Sequence, residues 1–381
     1  MSGLSVLNGD SFVEDSKIDT CATCPKLCRS ACPVAEVEAR ETTTPWNLVN
    51  FGGFVKRGLV TLEDYGDLPY HCSDCGACTD ACLHNNDVPG LISLGRQRLL
   101  SAGLAPTKVL ELLGNFGVAG NPYGVSLEKA LTDIVVELGL SGSKTTNESK
   151  FLYQPGCASI KTHPKSVSGF VRVLNTFGIE NVKTDERSSH CCGLPLLWSG
   201  DIDGFRAHAQ RHASRLSKAK GVIVQDPACA HAMKVRYEEV GVKMETQVLH
   251  TTDFLAEHIG ENRLSRGDSQ AEPFAYAECC SLKNGLKAGD KPVELIRQMS
   301  GQSPVELPDL SGNTSDCCGA SGLLPLTNPA TAEDMASAKL LAYKDSKASQ
   351  LVTFSPRCAA HLKSIAPKEN IVDAMELLAS R

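Results

Sequence analysis

Cys72-Ser-Asp-Cys75-Gly-Ala-Cys78-Thr-Asp-Ala-Cys82 is the stretch from which the rest of the chain can be read. Its spacing is C-x2-C-x2-C-x3-C. Three thiolates this close in sequence can seize three irons of one [4Fe–4S] cube, and a fourth on the segment leaving the loop usually reaches a second cube. The run therefore predicts a partner, and one lies upstream: Cys21-Ala-Thr-Cys24-Pro-Lys-Leu-Cys28-Arg-Ser-Ala-Cys32-Pro33. One extra residue between Cys24 and Cys28 alters the loop but leaves the ligand count at four. The expected sets are Cys21, Cys24, Cys28 with Cys82, and Cys72, Cys75, Cys78 with Cys32. The rival reading is a pair of structural zinc sites, which also use CxxC pairs but usually bring them from two sides of a hairpin.

The chain has 381 residues, enough for two or three domains. Hydrophobic residues make up 42% and charged ones 22%, as in an ordinary globular protein. A net charge of −6 gives no electrostatic case for nucleic acid. No apolar run approaches the roughly 18–20 residues that span a bilayer. Residues 1–20 have neither a basic start nor an apolar stretch and read as a solvated tail rather than a secretory signal. Seventeen cysteines is an odd number in a long chain without an export signal, so a disulfide framework is the poorer account. A cytoplasmic protein with metal-bound thiolates is the economical one.

Residues 21–140 read as all-helical. VAEVEARE and WNLVNFGGFVKRG show helical periodicity with glycine breaks. Leu91, Leu94, Leu99 and Leu100 fall near one face of a helix leaving the second cysteine loop, and TKVLELLGNFG and SLEKALTDIVVELGL continue the pattern. The polar stretch 141–150, SGSKTTNESK, is the expected linker. An internal repeat follows, over 151–262 and 274–381. Phe151-Leu-Tyr153-Gln-Pro-Gly-Cys157 lines up with Phe274-Ala-Tyr276-Ala-Glu-Cys279-Cys280. Cys191-Cys192-Gly193 lines up with Cys317-Cys318-Gly319, and Asp226-Pro227-Ala-Cys229 with Ser355-Pro356-Arg-Cys358. Short apolar strands (FLYQPG, GVIVQDP, FAYAE, LVTFSP) run into cysteine-bearing loops and then helices. Such alternation implies parallel sheets with the cysteines at strand C-termini. The glycine after each Cys-Cys pair permits backbone angles that a Cβ would forbid.

These residues resemble the two cysteine-rich "CCG" domains of the heterodisulfide reductase catalytic subunit, and of the iron–sulfur subunits of glycolate oxidase, anaerobic glycerol-3-phosphate dehydrogenase and lactate-utilisation complexes. The resemblance covers roughly residues 20–370 and includes the order of the two cysteine runs. It implies an α + α/β architecture: a helical ferredoxin domain with two [4Fe–4S] cubanes, then two pseudo-symmetric α/β CCG modules. It implies at least one further iron–sulfur cluster there, non-cubane in the heterodisulfide reductase branch. Its ligands would come from Cys157, Cys191, Cys192 and Cys229, and from Cys280, Cys317, Cys318 and Cys358, with Cys279 as an added candidate. In that branch each module closes with C-x-x-C; here the closures are Cys229-Ala-His-Ala232 and Cys358-Ala-Ala-His361.

The implied function is an iron–sulfur electron-transfer subunit of a multi-subunit oxidoreductase. No nucleotide-binding motif follows a strand, so no flavin is expected on this chain. The expected partners are a flavoprotein dehydrogenase, an electron-transfer flavoprotein or a hydrogenase-like subunit, and a quinone-reactive membrane partner that would place the chain peripheral to the inner membrane. Two alternatives stand beside this: a catalytic disulfide reductase subunit, and a structural zinc scaffold. No catalytic residue is assigned from sequence.

Overall fold

Between residues 11 and 137 the chain folds into helices and turns, with no strand among the described residues. The computed structural model describes residue 7 and residues 11–137, 151–184, 191–259, 272–307 and 317–380. The 141–150 linker and most of the joint between the two repeats lie outside the described residues.

Local chemistry sets the helix starts of this first part. Pro33, Pro45 and Pro89 stand in first turns, where their missing N–H costs nothing. Asp87 caps the helix Val88–Ser101 by accepting from Gly90 N at 3.1 Å. That helix leaves the second cysteine loop as expected and buries Leu91, Leu94 and Leu99.

Two expectations are corrected here. Residues 11–20 are not a solvated tail: Ser11–Thr23 is a helix, with Ile18 buried and Glu14 paired to Lys56 at 2.9 Å and to Arg98. Its apolar content is too low to announce it. Of the glycines in WNLVNFGGFVKRG only Gly58 lies past the helix end; Gly52 and Gly53 do not break the helix. They lie inside Pro45–Lys56, where a Cβ on Gly53 would meet Ile18 Cγ2 at 2.6 Å. The missing side chain is the seat that the N-terminal helix occupies.

The remainder is built on parallel strands. The first sheet orders β1 (Phe151–Gln154), β2 (Val182–Thr184), β3 (Gly221–Val224) and β4 (Gln247–His250) as β2-β1-β3-β4. The second orders β5 (Phe274–Tyr276), β6 (Gln350–Thr353) and β7 (Ile371–Asp373) as β5-β6-β7, and an isolated parallel bridge Ala275–Val305 stands where β2 stands in the first. The four expected strands are β1, β3, β5 and β6. The missed ones, β2, β4 and β7, are edge strands of three or four residues, too short for a period-2 signal. All four residues of β3 are buried, as befits a strand covered on both faces.

The two sheet units face each other through their cysteine ends. The helix Cys157–Thr162 packs on Pro356–Ile365, and Pro227–His231 packs on the turn Ser281–Gly285. A second seam joins Pro164–Thr176 to Ala374–Ala379. Asp373 caps the latter by accepting from Met375 N at 3.0 Å, and burial pushes its carboxyl up to about 7.

Replacing Gly53 by Ala gains about 1 kcal/mol of helix propensity but overpacks the Ile18 contact, at a cost of about 1–3 kcal/mol. Gly53→Ala is therefore expected to lower the thermal midpoint, and Ile18→Leu, which removes the offending branch, to recover part of the loss. Asp373 makes a pH prediction. Its pKa in an unfolded chain is about 3.9, so the native state keeps a proton that the unfolded chain has released, and stability falls as pH rises from about 4 to about 7. Urea midpoints at pH 5 and pH 7.5 should drop more in the wild type than in Asp373→Asn; equal drops would contradict the assignment.

Candidate metal centre

Burying a thiolate is costly unless charge or hydrogen bonds compensate it. One local device recurs in four cysteine loops. The residue two places after the cysteine adopts a positive φ and donates its backbone N–H to the sulfur. Lys26 N reaches Cys24 Sγ at 3.4 Å, Asp74 N reaches Cys72 at 3.3 Å, Gly193 N reaches Cys191 at 3.5 Å, and Gly319 N reaches Cys317 at 3.4 Å. Their φ angles are 64°, 55°, 85° and 82°. At Gly193 and Gly319 this bears out the sequence reading. A Cβ there would also lie 2.7 Å from His208 Cδ2 and from the Ala332 carbonyl oxygen, respectively. At Asp74 the side chain secures the conformation: Trp198 Nε1 donates to Oδ2 at 2.7 Å and Arg236 Nη2 to Oδ1 at 3.3 Å.

The second cysteine loop lines a small cavity of about 20 Å³ with Cys72, Cys75 and Cys78, and with Cys32 from the first run. Val34, Pro45, Leu48 and Ile92 form its apolar wall. Cys82 does not line it. Its charge acts instead on Cys21 and Cys28 of the first run. Asn86 Nδ2 donates to Cys21 Sγ at 3.3 Å. Burial pushes the Cys28 thiol up to about 11 and the Cys32 thiol up to about 12, and raises Cys21, Cys72 and Cys78. Four thiols surround a largely apolar space whose imidazole, His71, is engaged by Glu38 at 2.6 Å, a donor set that matches the soft-ligand preference of an iron–sulfur core. Among the described residues no three His, Cys, Asp or Glu side chains gather around a single-ion site.

None of the seventeen cysteines is in a disulfide. In the first sheet unit Cys157 begins a helix after β1, and Cys229 sits in the first turn of the helix after β3. These two and the Cys191–Cys192 pair are all buried and interact in the order Cys157–Cys191–Cys192–Cys229. Cys191 and Cys229 donate to Cys192 and hold its thiol well below the usual range.

The second unit carries a longer row. Cys280 Sγ lies 4.0 Å from Cys317 Sγ, and Cys318 Sγ lies 3.0 Å from Cys358 Sγ. Cys279 interacts with both Cys280 and Cys358 and so joins the two pairs. Cys317 also interacts with Cys75 of the second cysteine loop. That loop and the second unit are in close contact. Asn284 Nδ2 donates to the Cys75 carbonyl at 2.9 Å, and a Cβ on Gly322 would run directly into the Cys72 carbonyl oxygen. His361, at the position of the missing closing cysteine, has its Nε2 3.2 Å from the Ala332 carbonyl oxygen.

Sequence reasoning missed the charged residues between these sulfurs. Arg96 is buried; it donates from Nε to Pro69 O at 2.9 Å, and from its other nitrogens to Cys72 O at 2.7 Å and Trp198 O at 3.2 Å. It thereby ties the second cysteine loop to the first sheet unit. Arg236 joins Asp74, Asp87 and Glu239, and Arg357 pairs with the fully buried Asp226 at 3.0 Å. Each reads in the sequence as an ordinary solvated charge; only the fold buries it.

Comparison with known proteins agrees with this layout. A model for a 4Fe-4S dicluster domain matches residues 17–86, and one for a cysteine-rich domain (CCG) matches residues 151–234 and again 274–363. A fumarate reductase (CoM/CoB) subunit of Methanothermobacter marburgensis is 23% identical, over 97% of this chain and 73% of its own length. A dihydromethanophenazine:CoB–CoM heterodisulfide reductase subunit of Methanosarcina barkeri is 25% identical over 84% of this chain and 79% of its own. A probable membrane-anchored ferredoxin of Chromohalobacter salexigens is 24% identical over 83% of this chain and 48% of its own. Among the described residues no helix is long and apolar enough to cross a membrane. With one dicluster domain and two cysteine-rich domains together spanning well over half of its length, the chain belongs to the CCG-domain family of iron–sulfur proteins.

Proposed function

We propose that this chain is an electron-transfer subunit of a heterodisulfide reductase-like, multi-subunit oxidoreductase, whose helical ferredoxin domain feeds two pseudo-symmetric CCG modules. In this reading Cys21, Cys24, Cys28 and Cys82 hold one [4Fe–4S] cubane, and Cys32, Cys72, Cys75 and Cys78 hold the other. Cys157, Cys191, Cys192 and Cys229 hold a cluster in the first module. Cys280, Cys317, Cys318 and Cys358, with Cys279, hold one in the second. When bound, such clusters supply one-electron carriers of tunable potential.

The chain's own work is ligation, burial and hydrogen bonding. Backbone N–H groups aimed at sulfur favour the more negative, reduced state of whatever the sulfur binds, and apolar walls keep water off it. The observation that carries the reading is the contact of Cys75 with Cys317. It sets the four-thiol cavity of the second loop directly against the thiol row of the second module. Electrons delivered to the helical domain thus enter the second module first. The donor in this reading is a flavoprotein dehydrogenase, an electron-transfer flavoprotein or a hydrogenase-like subunit, and a quinone-reactive membrane partner is the candidate acceptor.

A second reading draws on the names of two relatives, a fumarate reductase (CoM/CoB) subunit and a CoB–CoM heterodisulfide reductase subunit. Here the chain itself reduces a disulfide, with the missing closing cysteines leaving an open ligand position. Thiol release from candidate disulfides with reduced viologen as donor separates the two; no turnover leaves the electron-transfer reading.

Two outcomes are expected of anaerobically prepared full-length protein. Cys78→Ser should lose about four irons and their labile sulfide, and unchanged iron, or zinc in its place, would defeat the reading. Fully reduced wild-type protein should show a spin–spin split EPR signal from neighbouring centres. Cys317→Ser should remove the part of the splitting that comes from the second module's centre and keep the coupled signal of the two cubanes; a splitting unchanged in Cys317→Ser would contradict the proposed route.

A further inference from the structure

The two modules repeat each other closely at the loops after β3 and β6, and differ at two positions. Asp226-Pro-Ala-Cys229 stands in the first, Ser355-Pro-Arg-Cys358 in the second. Asp226 and Ser355 both cap their helices, accepting from Ala228 N at 2.9 Å and from Cys358 N at 3.3 Å. The acid and the arginine that break the repeat find each other across the module interface. Arg357 Nη2 and Nε both donate to Asp226 Oδ2, at 3.0 and 3.2 Å. Asp226 is fully buried, and Arg357 lies over the Trp198 ring at 5.2 Å.

This places a cation of the second module in the first module's thiol site. A Cβ on Gly156 would lie 3.1 Å from Asp226 Cβ and 3.3 Å from Cys229 Sγ, so the Asp226 and Cys229 side chains leave from one small space. The Arg357 charge acts on Cys157, Cys192 and Cys229. The repeat-equivalent of Arg357 is Ala228, which brings no charge to the second module. The two thiol rows are therefore electrostatically unequal by construction.

We propose that Arg357 is a positioning residue for the first module's centre: held by Asp226 and Trp198, its charge makes the first module easier to reduce than the same thiols would be without it. The inference rests on a cluster being held by Cys157, Cys191, Cys192 and Cys229. Adding an electron adds one negative charge to that centre, and a fixed cation in a low-dielectric site favours the reduced state, as a buried carboxylate disfavours it.

The test is a potentiometric titration, followed by EPR, of the anaerobically prepared full chain with its clusters. The first module's signal is the one that Cys192→Ser abolishes. Arg357→Gln should lower the reduced-to-oxidised ratio of that signal at fixed potential about tenfold, which for a one-electron couple is about 59 mV. Asp226→Asn should shift it in the opposite direction, Arg357→Lys should stay close to wild type, and the cubane signals should not move. If Arg357→Gln fails to fold, the double variant Asp226→Asn with Arg357→Gln, which leaves no unpaired buried charge, decides the matter against Asp226→Asn alone: its reduced-to-oxidised ratio at fixed potential should be about tenfold lower, and an equal ratio overturns the role of Arg357. Midpoints unmoved in the variants that retain wild-type iron, or all signals shifting together, would overturn the role of Arg357. Wild-type iron and signals in Cys192→Ser would instead remove the first-module cluster, and with it both this inference and the reading beneath it.

Discussion

The cost of burying sulfur governs this structure. Most of the seventeen thiols lie inside the protein, where desolvation works against the charged form that metals bind. The fold answers with fixed positive ends of dipoles and with guanidinium groups. Four cysteine loops turn a backbone N–H back onto the sulfur two residues earlier, and two of them take an αL angle without glycine to do so. Arg96 lies against the second cysteine loop, and Arg357 beside the first module's sulfurs. A disulfide-bonded protein needs none of this.

The same constraint explains how the parts are joined. A helical unit and two parallel-sheet units share one continuous core, joined at the cysteine loops and, between the two sheet units, along the seam of Pro164–Thr176 with Ala374–Ala379. Arg96 holds the Cys72 carbonyl and the Trp198 carbonyl with one side chain. Trp198 in turn holds Asp74 and underlies Arg357. A chain of polar contacts thus runs from the second cysteine loop to the first module, while Cys75 and Cys317 make the corresponding connection to the second module.

Much of this was legible in the sequence, and the rest was hidden for physical reasons. The cysteine runs carry their chemistry in their spacing, because loop geometry limits which thiols can meet. The Cys-Cys-Gly turns announce themselves since only glycine takes their backbone angle freely. The β1, β3, β5 and β6 strands are visible because each carries a short run of apolar residues that ends in a cysteine-bearing loop. The helix Ser11–Thr23 was not visible, since it is held by one isoleucine, one glycine gap and several ion pairs rather than by an apolar stripe. Nor were Asp74, Asp226, Arg96 and Arg357, because a charged residue shows its burial only once the elements around it are in place. The value of Cys279 was also open in the sequence; its contacts with Cys280 and Cys358 put it inside the second module's row.

Mössbauer spectroscopy of the full chain, grown on isotopically enriched iron and kept free of oxygen, bears most directly on the central claim that these thiols grip iron–sulfur cores in a line. The account predicts the doublets of two cubanes together with at least one further iron–sulfur species that disappears when the Cys-Cys pairs are replaced by serine. A sample without iron, or with metal only as isolated tetrahedral ions, would contradict it.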